Sequence, residues 1–352
     1  MNVLEEQLSN NYGFESKDRM HIEFGAEKID LGNLSSLGDS APDLLVWAAP
    51  VMFFFVAIEY VVSRYQGRHI YDKKETIGST LVGIGNVAIG VALKTIMFSV
   101  FVITYNLIPW RMEFSWWTFL PCYVIFDFCS YWAHHISHRM RFLWATHVAH
   151  HSGEHFNLTI SFRLSWVQYI KIFFFLPVAM LGFHPVIIFL TNQIAILFQF
   201  WVHTEYIGKL HPWVEYWLAT PSNHRVHHGS QEKYINKNYG ATFIIWDRIF
   251  GTYQEEEEQV IYGITKNIDH KHDPIHINFH EYVDIIRDVK TADSWKERLF
   301  YIFGDPEDIG KYKKAKEVNA TPQQPPKEAV VIEMEPQPVE SDFNENKNAV
   351  GK

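Results

Sequence analysis

Residues 44 to 62 read LLVWAAPVMFFFVAIEYVV, 19 positions of which 17 are apolar, broken only by Pro50 and Glu59. A helix over that stretch would cross a hydrocarbon core of ~30 Å. Four further apolar stretches follow: Leu81 to Tyr105 with one charge, Lys94; Trp116 to Trp132, opened and closed by aromatic pairs; Leu164 to Leu181; and Pro185 to Val202. The last two are separated by Gly182-Phe183-His184, room only for a tight turn. The expected fold is therefore an all-α integral membrane bundle of about four to five transmembrane helices. Gly83, Gly85 and Gly90 would let neighbouring segments approach the second span closely.

The chain divides by composition. Residues 1–43 form a polar N-terminal segment, 44–303 the membrane domain with a polar, aromatic-containing cap, and 304–352 a polar tail expected to be disordered, with Pro322, Pro325, Pro326, Pro336 and Pro338 in it. The start lacks the basic, apolar and small-residue pattern of a secretory signal, so insertion is expected to rely on the spans themselves. Residues 64–75 carry four basic and two acidic side chains, against three and nine in residues 1–43. That asymmetry places the first loop on the cytoplasmic side. Counting spans from there puts segments 134–163 and 203–228 on the same, cytoplasmic face.

Those two segments hold the histidines. Of 19 in the chain, 13 fall between His134 and His228. His134 and His138 are spaced i, i+4; His147, His150 and His151 are spaced i, i+3, i+4; and His224, His227 and His228 repeat the second pattern. On helices each set projects its imidazoles from one face. Eight nitrogen donors are enough for two metal ions with about four each, leaving positions open for oxygen or substrate. His203 is a ninth candidate ligand, as well placed to support a ligand as to be one. His135, His155 and His211 lie off the spacing and are expected to be ordinary hydrogen-bonding histidines, and His184 falls at the far side. Asp127, two turns before His134, could accept an N–H and fix a ligand's tautomer, or bond another helix. Asp247 and Arg248 are expected to pair in the cap.

Other classes are excluded by what is absent. Cys122 and Cys129 lie in an apolar run and supply neither a disulfide framework nor a four-thiolate metal site. The net charge of −9 and the lack of a basic block interleaved with aromatics exclude nucleic acid as a partner. No His-Glu-x-x-His motif supports a zinc hydrolase. A histidine-based metal transporter would need ionisable groups along a path at mid-membrane depth, whereas Glu59, Lys94 and Asp127 are scattered and every histidine set lies at one end.

The string Asp127-x-x-x-Tyr131-Trp132-x-His134-x-x-x-His138, then Trp144-x-x-His147-x-x-His150-His151-Ser152 with Asn157 and Arg163, then His224-x-x-His227-His228, resembles the fatty acid hydroxylase and sterol desaturase superfamily. The likeness spans roughly Glu59 to Tyr253. Residues 200–205, 220–229 and 238–252 are most similar to its ether-lipid-cleaving branch. The resemblance implies a membrane oxidoreductase, in a bacterial inner membrane or the endoplasmic reticulum, with two Fe ions that activate O2 to hydroxylate or desaturate a membrane lipid. It also implies an external reductant, tetrahydropterin for the ether-lipid branch or otherwise a cytochrome b5-like or ferredoxin partner. Asn157, Arg163, Glu205 and Asn223 would support the ligands. The family commonly has Arg after the first histidine of box one and often Glu after the second; here these are His135 and Arg139.

Overall fold

The computed structural model describes residues 22–25, 28–33, 43–112 and 115–320. Most of the polar N-terminal segment and the tail beyond residue 320 lie outside them. Helices dominate: α1 (Leu44–Tyr65), α2 (Lys73–Leu107), α3 (Trp116–Arg139), α4 (Arg141–Trp144), α5 (Val148–His151), α6 (Leu176–Met180), α7 (Pro185–Trp201), α8 (Pro212–Trp217), α9 (Pro221–His227), α10 (Ile245–Phe250), α11 (Pro274–Thr291), α12 (Trp295–Phe303) and α13 (Pro306–Ala320). A two-stranded antiparallel ribbon, β1 (Ile22–Phe24) with β2 (Trp110–Met112), pairs Ile22 with Met112. This ribbon is an addition to the expected all-helical fold. By contacts the chain forms two units, residues 1–309 and 310–352.

Two helices, α1 and α2, are long and apolar enough to cross a membrane. Each starts at an aspartate whose carboxylate takes a first-turn N–H, Asp43 from Val46 and Asp72 from Glu75. Both leave large apolar side chains exposed, among them Phe54 and Val61 on α1 and Val87 and Val91 on α2. Water would penalise such rows, whereas lipid tails accept them. Further along, α2 buries Phe98, Phe101, Val102 and Tyr105, at the i, i+3, i+4, i+7 spacing of a helical stripe. Phe98, Phe101 and Val102 join Cys122, Tyr123 and Phe126 of α3 and Val186, Ile187 and Leu190 of α7 in the principal core.

The stretch expected as a fourth span is not one continuous helix. It holds the 3-10 segment Gln168–Phe175 followed by the short α6, with another 3-10 turn at Leu158–Phe162 just before it, and the apolar segments Gln168–Met180 and Pro185–Trp201 are both shorter than the first two helices. The glycines of α2 explain its close fit: a Cβ at Gly85 would stand 2.5 Å from the Trp166 ring, and one at Gly90 2.5 Å from the Tyr169 hydroxyl. The expected turn after it is present, with Gly182 at φ +95° and Pro185 opening α7. Of the aromatic run 173–175, Phe173 is exposed, whereas Phe175 stacks on Phe126 at 4.5 Å.

α3 does not stop at Trp132 but continues to Arg139, carrying the first histidine set on its last two turns. From Trp116 to His134 it rises about 27 Å. The exposed Trp116–Trp117 pair and the histidines are thus separated by nearly a bilayer core. Beyond α3, Arg141 is buried and ion-paired to Glu281 and Asp288 of α11 at 2.6 Å each, which fixes the cap helices against the end of α3. Residues 306–320, read as the start of a disordered tail, are helical: Pro306 opens the helix, Glu307 and Asp308 oppose its dipole, and lysine, glutamate and alanine favour it.

Candidate metal centre

Nine imidazoles converge where α3, α5, α7 and α9 end. Their ligand atoms form two groups in which all atoms lie within 4.8 Å of one another: His134, His138, His147, His151 and His227, and His150, His203, His224 and His228. Every expected ligand is in one of them, and His203 is a full member of the second. Only the first set sits on a long helix. His147 precedes the single turn of α5, and His224 and His227 ride on the seven-residue α9, with His228 just past its end.

In the four-histidine group the Nε2 atoms form a closed ring: His150 to His203 3.2 Å, His203 to His224 2.8 Å, His224 to His228 3.2 Å and His228 to His150 3.1 Å. The Nδ1 of His203 lies 2.7 Å from the Gln199 carbonyl, which only accepts, so the proton of neutral His203 is on Nδ1 and its Nε2 is a bare lone pair. Both contacts to His203 then require N–H donors from His150 and His224, whose Nε2 atoms are left with neither a lone pair to accept from His228 nor a second proton to give it. Four hydrogen bonds cannot be completed. A cation ligated at ~2.0–2.1 Å, by contrast, holds its nitrogens about 3 Å apart.

The five-histidine group repeats the logic. His134 Nδ1 donates to the Tyr239 carbonyl at 2.8 Å and His227 Nδ1 to that of Lys237 at 2.9 Å. Their Nε2 lone pairs therefore face inward, His134 within 2.8 Å of His147 Nε2. The Nε2 atoms of His138 and His227 are buried without a hydrogen-bond partner. Burial, reinforced by neighbouring rings, holds His147, His150, His151, His224 and His228 well below the usual histidine range, and burial holds His227 to about 4. They are neutral at pH 7, the form in which imidazole binds metal. Uncompensated inward lone pairs are costly in a buried site, so the residues fit one metal ion per group.

The supporting residues act differently from expectation. Asp127 touches no histidine: it accepts the N–H groups of Thr242 and Phe243 at 2.8 and 3.1 Å and the indole N–H of Trp246 at 3.0 Å. Asn157 bonds the Ile70 carbonyl and caps Thr159, again without a histidine. Arg163 is fully buried and donates to the Ala149 carbonyl and the Ser152 hydroxyl, bracing the second set through its backbone. Glu205 pairs with Arg68, and Asn223 donates to the Leu218 carbonyl. Asp247 and Arg248 do not pair; Asp247 takes the N–H groups of Tyr239 and Gly240, while Arg248 donates to the carbonyls of Tyr216 and Glu215. His135 stacks on Trp132 and Tyr239 outside both groups, and His184 and His211 cap helices. The carbonyls of Tyr239 and Lys237 escaped notice because a backbone acceptor has no residue-type signature.

One neighbouring histidine is drawn towards its charged form. His155 Nδ1 lies 2.9 Å from the buried Glu75 carboxylate, and that hydrogen bond raises its pKa above the ordinary value. A raised folded-state value means the contribution to stability is complete below ~6.5 and fades as pH climbs through the folded value. The gap in melting temperature between the native chain and His155→Gln is expected to be widest at pH 6 and to shrink by pH 8.5. The underlying stability difference is at most about 1 kcal/mol. Thermal unfolding in detergent across that range checks it, and a gap growing with pH would reject the pairing.

Fold and site together define a helical protein with two helices long and apolar enough to cross a membrane and an all-histidine double site. A family model for fatty acid hydroxylase matches residues 119–252. Among curated proteins, the chain is similar to alkylglycerol monooxygenase of Xenopus tropicalis and of Homo sapiens, each 33% identical over 76% of this chain and 60% of the relative. That of Danio rerio is 33% identical over 65% of this chain and 52% of its own length. The chain thus spans about 60% of the length of the first two. No solved structure matches it.

Proposed function

We propose that this chain is a membrane-bound, O2-dependent lipid monooxygenase whose two histidine groups hold two iron ions, and that it hydroxylates a lipid alkyl chain at the carbon next to an ether oxygen. The observation that carries the reading is the pair of buried, neutral, inward-facing imidazole groups at one end of an apolar helical bundle. Nine neutral donors with no carboxylate among them suit a transition metal rather than magnesium or calcium. Bound iron supplies the redox chemistry that attacks an unactivated C–H bond, which no side-chain acid or base can do. The alkylglycerol monooxygenase relatives favour oxygen insertion over desaturation.

The rest of the proposal follows from position. α1, α2, α3 and the apolar hairpin 168–201 lie in the membrane as four to five passes, with the basic 64–75 loop and the histidines on the cytoplasmic face. A lipid enters from the leaflet and brings its ether carbon to the boundary where the imidazoles sit. His134, His138, His147, His151 and His227 bind one ion, and His150, His203, His224 and His228 the other. The reaction consumes one O2, two electrons and two protons; one oxygen atom enters the C–H bond and the other leaves as water. The resulting hemiacetal breaks its C–O bond to release an aldehyde and a glyceryl alcohol. Electrons come from outside the chain, from reduced tetrahydropterin or a cytochrome b5-like or ferredoxin partner.

Purified protein in nanodiscs is expected to contain about two iron per chain and to convert a glyceryl ether to aldehyde with O2 and reduced tetrahydropterin. Metal analysis and product mass spectrometry check both parts. An alkene product would replace monooxygenation by desaturation, and absence of bound metal would overturn the reading.

A further inference from the structure

Resting on the proposed metal centre, we infer that residues 237–247 are a positioning clamp for the five-histidine group alone, with Asp247 as its fastening and Asp127 as a second anchor. The clamp's output is two backbone carbonyls, Tyr239 on His134 Nδ1 and Lys237 on His227 Nδ1. Each forces the proton onto Nδ1 and presents Nε2 to the metal.

Those carbonyls are aimed by a backbone the chain would not adopt unaided. Asn236 and Asn238 both have positive φ, 60° and 55°. Such conformations persist where the surroundings over-determine them. Asn238 is held three ways: its amide donates to the carbonyls of Asn223 and Gln254, and its side-chain oxygen accepts the Gln254 N–H. Both oxygens of Asp247 are then used on consecutive N–H groups, Oδ1 on Tyr239 and Oδ2 on Gly240, each at 2.7 Å, with the Thr252 hydroxyl also on Oδ1 at 2.6 Å. The fit admits no side chain at residue 240, where a Cβ would lie 2.5 Å from the Phe243 carbonyl oxygen. Asp127 completes the clamp by tying Thr242, Phe243 and Trp246 to α3, the helix that bears His134 and His138.

The imidazoles of the four-histidine group are not bonded to this segment, which reaches their helix α9 through Asn238 at the Asn223 carbonyl. His203, just past the end of α7, is set by the carbonyl of Gln199 in that helix's last turn. The asymmetry makes the inference testable without turnover, using cobalt(II) as a probe whose visible spectrum reports each site. Asp247→Asn, which has one acceptor oxygen where two are used, is expected to weaken one of two cobalt sites by 10–100-fold and leave the other's affinity and spectrum unchanged. Thr252→Val, which removes only one bond to Asp247, should shift the same site by less and covers the case in which the first variant does not fold. Two cobalt sites weakened together would mean a general structural role and overturn the inference. Two unchanged sites would overturn it as well, with the metal centre intact. Failure of the native chain to bind cobalt would instead defeat the metal-centre reading and this inference with it.

Discussion

Alanine at His203 is expected to remove one metal ion per chain and to reduce lipid-dependent oxygen uptake by at least about 100-fold, a loss at the upper end of what removing a supporting partner costs a metal site. His203 is one corner of a closed ring of four Nε2 atoms, 3.2 Å from His150 and 2.8 Å from His224. The ring has no spare donor, since all four histidines are already in it and no carboxylate is grouped with them. His211→Ala is the control, because that exposed imidazole only accepts the Trp213 N–H at the start of α8. Metal analysis with oxygen consumption decides the matter. A His203→Ala protein that keeps two ions and its oxygen uptake would return His203 to a supporting role.

Leucine at Glu59 should destabilise the chain nearly as conspicuously, although Glu59 touches no histidine. Its carboxylate accepts the Tyr71 hydroxyl at 2.6 Å, the Leu158 N–H at 2.8 Å and the Thr204 hydroxyl at 2.5 Å, all from a residue 5% exposed. Leu158 opens the turn after the second histidine set and Thr204 follows His203, so one carboxylate fastens α1 to both. Three donors left without an acceptor cost about 1–3 kcal/mol each and do not add in full. A fall in melting temperature on the order of 5–10 °C follows. Glu59→Gln, with one acceptor oxygen retained, should fall between. Thermal unfolding in detergent measures the series, and a Glu59→Leu midpoint within a degree of the native one would show that these bonds carry no net stability.

Glu59 and Asp127 show how far a sequence reading reaches. A charged residue inside an apolar stretch had to face protein, and both do. Most of their partners could not be named, because apart from Tyr71 on Glu59 they lie 99 and 145 positions away for Glu59 and between 115 and 119 for Asp127. The place of Asp127 on the helix suits either a histidine or another helix as its partner. Its oxygens instead took N–H groups of the 242–246 segment, which would otherwise be buried without acceptors.

What the sequence determined by itself was the helical, apolar character of the chain and the eight histidines of the three spaced sets, because both rest on local periodicity. Spacing even foreshadowed how the sets divide. Residues i and i+4 are offset by about 40° around a helix, whereas i+3 and i+4 differ by about 100°. Accordingly His134 with His138, His147 with His151, and His224 with His228 stay together, while His150 and His227, the i+3 members, each join the opposite group. Only the tertiary structure decided which groups they join, that His203 completes the second, and that carbonyls of Tyr239 and Lys237 orient the first. Those outcomes depend on where separate helix ends meet and on backbone atoms common to every residue, and neither leaves a mark in side-chain order.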